Sequence, residues 1–176
     1  MTCEHVRYRL LDTPTGPFAM IVAIDGTVRT MWIDESSSKG DLESMTHDPM
    51  LLGDLAERLC RYFDGEMVDF SDVPTPAATP FHQRCWEACR RIPRGQTISY
   101  AQLAEAAGST AAAARAAGQA MRNNRLPIII PCHRVVATGG GLGGFSGSSD
   151  INGTELNQKR FLLNLERAKL PALQTA

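Results

Sequence analysis

Residues 99–123 read SYAQLAEAAGSTAAAARAAGQAMRN, and the reading of this stretch decides the fold. Ser99 and Gln102 stand three apart at the head of a helical pattern. This is a capping box, in which the serine oxygen accepts an early helical N–H and the glutamine returns to the serine N–H. A short helix to Ala107 follows. Gly108 permits the left-handed backbone that ends a helix, and Ser109 or Thr110 can cap a second one running from Ala111 to Asn123. Two short helices around a tight glycine turn read as a helix-turn-helix. The second helix is almost bare, with Arg115 set among Ala111–Ala114, Ala116, Ala117 and Gly118. Alanine is simply a strong helix former. A helix with so little side chain can also lay its backbone on a flat surface with Arg115 as its probe, which suits a DNA minor groove.

Downstream, the apolar run Ile128-Ile129-Ile130 ends in Pro131-Cys132-His133-Arg134-Val135. A lone cysteine after three isoleucines is ordinarily an inert small hydrophobe. Here the proline stops the run, and His133 and Arg134 put cationic character beside the sulfur, which favours the thiolate of an activated nucleophile. Neighbouring residues of an extended chain point to opposite sides, so a water bridging Cys132 to His133 serves the geometry better than direct contact. Such a relay needs a carboxylate to orient the imidazole. Glu166 borders the stripe of Leu162 and Leu163 on a last helix spanning Thr154 to Lys169. It is either that group or an exposed partner of Lys169, and the residues leave both readings open. Gly139, Gly141 and Gly144 match GxGxxG, but no helix opens after them. A dinucleotide site is therefore excluded in favour of tight turns close to a ligand.

Upstream, residues 73–80 hold three prolines, too many for a helix interior or a central strand. Between this segment and the helix pair, Phe81–Ile92 places Phe81, Cys85, Ala88, Cys89 and Ile92 on one helical face, ended by Pro93-Arg94-Gly95. His82, Cys85 and Cys89 share that spacing, and a cysteine-lined core face is preferred to a metal site. Cys3 and His5 are too few for zinc. Nearer the N-terminus, Val6–Leu11, Pro17–Ile24 and Thr27–Ile33 alternate as strands, the last two joined by a two-residue hairpin at Asp25-Gly26. Asp48–Asp64 spaces Leu51, Leu52, Leu55, Leu59, Tyr62 and Phe63 as a helix covering that sheet. The expected class is α+β. A small N-terminal antiparallel sheet with a helix occupies residues 1–73, a linker follows at 74–80, and a mostly helical domain with the helix-turn-helix fills 81–176.

A chain of 176 residues is long enough for a real core without staples. No apolar run approaches the roughly 18 residues of a membrane span, and the first ten residues have no signal-peptide core. The expectation is a cytoplasmic protein, nucleoid-associated in a bacterium, with no membrane partner. Five scattered cysteines read as reduced thiols rather than a disulfide framework. The formal net charge of −1 hides an asymmetry: residues 1–79 carry 6 Lys and Arg against 14 Asp and Glu, and residues 80–176 carry 12 against 5. The halves thus stand at −8 and +7. A basic half suits a polyanion, although two halves of opposite sign could also simply attract one another.

From Phe81 to Glu166 the sequence resembles the O6-alkylguanine-DNA alkyltransferases, also called methylated-DNA–protein-cysteine methyltransferases. The carriers are Ile92-Pro93-Arg94-Gly95, Thr97-Ile98-Ser99-Tyr100, Ala114-Arg115-Ala116 with Gly118, Asn123-Asn124, Pro127 through Val135, and Leu162-Leu163 before Glu166. The resemblance implies that Cys132 takes the alkyl group from O6 of guanine in double-stranded DNA as an irreversible thioether, once per molecule, with the nucleotide flipped out. It implies that His133 accepts the thiol proton through water, Glu166 orients the imidazole, and Asn124 holds the active-site turn. By the same resemblance Tyr100 protonates guanine N3 and helps rotate the nucleotide, and Arg115 fills the vacated stack. Ala113, Ala114, Ala116, Gly118, Tyr100 and Thr138 would line the DNA through its minor groove, and Arg134, Val135, Phe145 and Ser146 the substrate pocket. No cofactor or metal is implied, and the protein is expected to be a monomer.

The chain departs from the family pattern by one extra residue between Gly108 and Arg115, by Phe145 where many relatives have tyrosine, and by a longer segment at Ser148–Asn157. The zinc ligands of some relatives are not recognisable. Two other readings compete, a multiple-turnover Cys-His-Glu thiol hydrolase and a helix-turn-helix regulator or lesion binder. The family's non-catalytic lesion binders lack the reactive cysteine, which this chain has.

Overall fold

The computed structural model describes residues 5–33, 42–139, 141–145 and 153–167. The chain divides into two compact units, Met1–Asp72 and Val73–Ala176. Ser146, Cys3, Lys169 and residues 148–152 lie outside the described residues.

In the first unit, β1 (Arg7–Leu11), β2 (Phe18–Val22) and β3 (Val28–Trp32) form an antiparallel meander, and β4 (Thr46–His47) joins the outer edge of β1. The β1–β4 pairing is parallel, so the sheet is mixed rather than antiparallel throughout. The hairpin between β2 and β3 is also longer than the Asp25-Gly26 signal implies. Ala23 and Thr27 still pair, with Ala23 N–H donating to Thr27 C=O at 2.9 Å, which leaves a three-residue loop at 24–26.

Every residue of β2 is buried, because both faces of the central strand are covered. Ala19 and Ile21 pack with Leu42 on one side. On the other, Phe18 meets Phe63 of α1 (Gly53–Phe63) edge-on at 5.8 Å between ring centroids. α1 starts later than its leucine spacing suggests, since Leu52 takes a left-handed conformation as N-cap (φ 50°) while Leu51 remains buried.

The second unit opens with α2 (Pro80–Arg90), capped by Thr79, with proline at the first position where its missing N–H costs nothing. The helix therefore starts inside the proline-rich segment. That segment is tied down by Arg90, which donates to Val73 C=O at 2.8 Å and to Thr75 Oγ1 at 3.0 Å. The helix-turn-helix consists of α3 (Tyr100–Ala106) and α4 (Ala114–Arg122). Both hydrogen bonds of the Ser99–Gln102 capping box are formed.

At the end of α3, Gly108 N–H donates to Glu105 C=O and Ser109 N–H to Ala104 C=O, with Gly108 at φ 75°. This is the paired bonding of a Schellman cap. The second helix differs from expectation: Ala111–Ala113 form a 3-10 turn, and Thr110 precedes it without a side-chain cap. Trp86 Nε1 donates to Ala120 C=O at 2.8 Å and Arg84 Nε to Ala107 C=O at 2.9 Å, so α2 holds both helices of the motif by their backbones.

Two very short strands then bring distant segments together. β5 (Ile98–Ser99) pairs in parallel with β6 (Val135–Val136). Tyr100 directly follows β5, and a 3-10 turn at Cys132–Arg134 directly precedes β6. The pairing therefore sets the start of α3 beside the PCHRV segment. The last helix, α5 (Thr154–Leu165), ends with Glu166 as C-cap, earlier than the expected Lys169. Among the described residues no helix is long and apolar enough to cross a membrane.

Candidate active site

The turn before the cysteine is strained and pinned. Ile128 sits at φ 76°, a left-handed conformation that costs a β-branched residue on the order of 1–2 kcal/mol. Burial of Ile128, Ile129 and Ile130 and the side chain of Asn124 offset it. Asn124 Oδ1 accepts from Leu126 N–H at 2.8 Å, and its Nδ2 donates to Ile130 C=O at 2.9 Å and to Cys132 Sγ at 3.2 Å. One amide thus spans the turn and reaches the sulfur at its end.

Cys132 is 7% exposed. Burial pushes its thiol up from the ordinary value, opposed by the Asn124 hydrogen bond, the charge of Lys159 and nearby backbone N–H groups. The resting sulfur is therefore protonated at neutral pH, and a base must take that proton before it can attack. The expectation that Arg134 supplies cationic character to the sulfur needs correcting. Its Nε and Nη2 each donate to the Glu166 carboxylate at 2.8 Å, and its Nη1 donates to Ile92 C=O at 2.7 Å. The guanidinium is committed to holding the carboxylate.

His133 and Glu166 form a buried pair, with His133 Nε2 3.0 Å from Glu166 Oε1. Burial alone would raise the Glu166 carboxyl, but the hydrogen bonds and charges of His133 and Arg134 win and hold it well below the usual carboxylate range. Glu166 is thus an acceptor only, so Nε2 carries the imidazole proton and Nδ1 keeps a lone pair. Burial lowers the His133 value below its ordinary 6.5 against the raising influence of Glu166, so the ring is neutral at physiological pH and able to accept a proton. Glu166 is therefore buried against His133 and Arg134 rather than exposed.

Tyr100 donates its hydroxyl to Gly144 C=O at 3.2 Å. Burial, with Cys132 and Cys89 nearby, pushes its phenol up to about 12, which keeps it a proton donor at neutral pH. A Cβ on Gly143 would lie 2.9 Å from the Tyr100 ring, and Gly143 stands at φ 68°, so only glycine lets the loop close this tightly on the tyrosine. Phe145 is buried, and Val135 lies buried just after the turn. Arg115 and Ala116 of α4 and Thr138 are exposed, while Ala113, Ala114 and Gly118 are partly so, and a Cβ on Gly118 would lie 3.8 Å from the Tyr100 ring. Cys85 and Cys89 are fully buried core residues, and among the described residues no cluster of three metal-ligating side chains exists.

Lys159 escaped sequence reasoning. It is completely buried on α5 and donates to the carbonyls of Val135, Leu142 and Gly144 at 2.7, 2.6 and 3.1 Å. The signal was present, since position 159 lies three residues after Leu156 and three before Leu162, on the apolar stripe itself.

Residues 80–168 match the family described as 6-O-methylguanine DNA methyltransferase, DNA binding domain. The constitutive methylated-DNA–protein-cysteine methyltransferase of Bacillus subtilis is 38% identical over 165 residues, covering 91% of this chain and 94% of the relative. The crystal structure of the Mycobacterium tuberculosis O6-methylguanine methyltransferase superposes with a TM-score of 0.77 at 36% identity, covering 95% of this chain and 96% of that one. A second crystal structure, of Mycobacterium tuberculosis OGT in complex with DNA, covers 92% of each chain with a TM-score of 0.74 at 35% identity. A likeness that runs through both units, with a family match that spans the segment carrying the buried thiol, leaves one assignment: the chain belongs to the 6-O-methylguanine DNA methyltransferase family.

Proposed function

We propose that the protein repairs DNA by moving the alkyl group of O6-alkylguanine onto Cys132, irreversibly and once per molecule. The observation that carries this reading is the buried Glu166–His133 pair on the turn that bears buried Cys132, a neutral imidazole fixed by an ionised carboxylate next in sequence to a protonated thiol. In this mechanism Nδ1 of His133 takes the thiol proton through a bridging water, and the resulting imidazolium is stabilised by Glu166. The thiolate attacks the alkyl carbon, the carbon–sulfur bond forms, and the bond from that carbon to O6 breaks with its electron pair passing into the guanine. Tyr100, held protonated, supplies a proton to guanine N3 as the base leaves. The thioether has no leaving proton and no route back.

An alkyl carbon inside a duplex cannot be reached in line by a buried sulfur, so the nucleotide must leave the stack at a cost of a few kcal/mol. In the proposed complex α4 lies in the minor groove on Ala113, Ala114, Ala116 and Gly118, Arg115 enters the gap, and Thr138 meets the backbone. Val135 and Phe145, with Ser146 beyond the described residues, receive the base. The excess of positive charge in residues 80–176 supports DNA as the partner. The protein acts as a monomer in the cytoplasm.

Intact-mass measurement after incubation with duplex DNA carrying O6-methylguanine tests the proposal. The expected result is a gain of one methylene on the peptide containing Cys132, absent in Cys132→Ser. Continued turnover beyond one equivalent, with no adduct, would instead support the hydrolase reading.

A further inference from the structure

The proposed mechanism leaves a fully buried cation unused. Lys159 lies on α5, wholly removed from solvent, where an ammonium is costly unless its protons are taken up. All three find acceptors, and the acceptors belong to two different segments. Val135 C=O follows the Cys132–Arg134 turn, whereas Leu142 C=O and Gly144 C=O belong to the loop that closes on Tyr100. Gly144 C=O takes a second hydrogen bond from the Tyr100 hydroxyl. The ammonium also lies 5.7 Å from the centroid of the Tyr100 ring and 6.0 Å from that of Phe145. A single cation therefore joins the segment bearing the nucleophile, the loop, and both aromatic rings of the site.

We infer that Lys159 is a positioning residue for alkyl transfer, a charged latch that fastens the Leu142–Phe145 loop to the Cys132 segment and sets a positive charge within the buried site. The inference deepens the alkyl-transfer reading and rests on it only for the repair readout. Three amide carbonyls could be satisfied by water if the loop were open; the geometry spends a buried charge on keeping it shut. The ionisable groups around the ammonium are the Cys132 and Cys89 thiols and the Tyr100 phenol, with His133 also within its field. Burial brings the lysine down to about 8, and Cys132 and Cys89 act to raise it, which is the reciprocal of its pull on the Cys132 thiol. At pH 7 the latch is charged.

The test compares Lys159→Met, which keeps length without charge or donors, with Lys159→Arg, which keeps the charge. The first readout is the rate of Cys132 alkylation at pH 7, where the latch is charged, by iodoacetamide, a reagent too small to need a base pocket. The second is the single-turnover rate on duplex DNA with O6-methylguanine at saturating protein. In K159M the iodoacetamide rate should fall severalfold and the saturating transfer rate at least tenfold, with K159R recovering the iodoacetamide rate. Both rates unchanged in K159M would overturn the inference. So would a lowered transfer rate with an unmoved iodoacetamide rate that K159R fails to restore, because that pattern belongs to packing alone. Should K159M not fold, K159Q is measured instead under the same two outcomes. If the unaltered protein alkylates with iodoacetamide but never accepts a methyl group from DNA, the repair reading fails while the iodoacetamide comparison still decides the latch.

Discussion

Glu166 carries opposite duties toward its two partners, and a single substitution separates them. Toward Arg134 it is the anion of a buried bidentate pair, and toward His133 it is the acceptor that keeps the basic lone pair on Nδ1. Glu166→Gln keeps the shape but removes the charge. Leaving the Arg134 guanidinium without its anion should destabilise the protein by about 3 kcal/mol, measurable by denaturant unfolding. Loss of the raising influence of Glu166 should lower the His133 value further, making a weaker base and slowing methyl transfer on the order of tenfold or more at pH 7. The sign of the pH dependence follows from the same groups. Both His133 and Glu166 are depressed in the folded state, so their contributions to stability are present at neutral pH and are lost as pH falls, first through the imidazole below 6.5 and then through the carboxyl. The transfer rate should accordingly hold level from neutral pH to below 6.5 before declining, and in E166Q its acid limb should move further down. A decline beginning above 6.5 would show that the imidazole is not held neutral by its burial.

At the scale of elements, the helix-turn-helix depends on one residue to end its first helix. Gly108 stands at φ 75° with open space where a Cβ would go, so Gly108→Ala adds backbone strain and no clash. The expected cost is about 1–2 kcal/mol, which for a chain of this size lowers Tm by roughly 2–4 °C per kcal/mol. Calorimetry checks the shift, and iodoacetamide reactivity of Cys132 below the transition should be unaltered. This element was legible in the sequence because its signals are local: Ser99 and Gln102 three apart, and a glycine where the chain must turn left-handed. PCHRV was legible for a similar reason. The partnerships that complete the site were less so. Glu166 could be narrowed only to two readings, since its partners lie more than thirty residues away. Lys159 was missed because its acceptors are backbone carbonyls, which leave no mark in side-chain identity. The parallel β1–β4 pairing and the three-residue hairpin loop were hidden likewise, as each is decided by packing on the sheet rather than by the turn residues themselves.

The whole molecule is polarised, −8 over residues 1–79 and +7 over residues 80–176, and α4 belongs to the positive part. Phosphate contacts release counterions, so duplex affinity should fall steeply and linearly in log–log form as salt rises, whereas alkylation of Cys132 by a free O6-alkylguanine base should respond little. This separation isolates Arg115. It is exposed on α4 between Ala114 and Ala116, with Gln119 and Arg122, one and two turns further on, as the other long exposed side chains of the helix. A wedge that fills the vacated stack acts only when there is a stack to vacate. Arg115→Ala should therefore slow repair of duplex O6-methylguanine by an order of magnitude or more, since the cost of unstacking is a few kcal/mol and each 1.4 kcal/mol is tenfold in rate. Reaction with the free base, which needs no extrusion, should stay within about twofold of the unaltered protein. Single-turnover rates on the two substrates, measured at one salt concentration, decide the matter. An equal fall on both would mean that Arg115 supports the fold of α4 or the Cys132 site rather than the extrusion of the nucleotide.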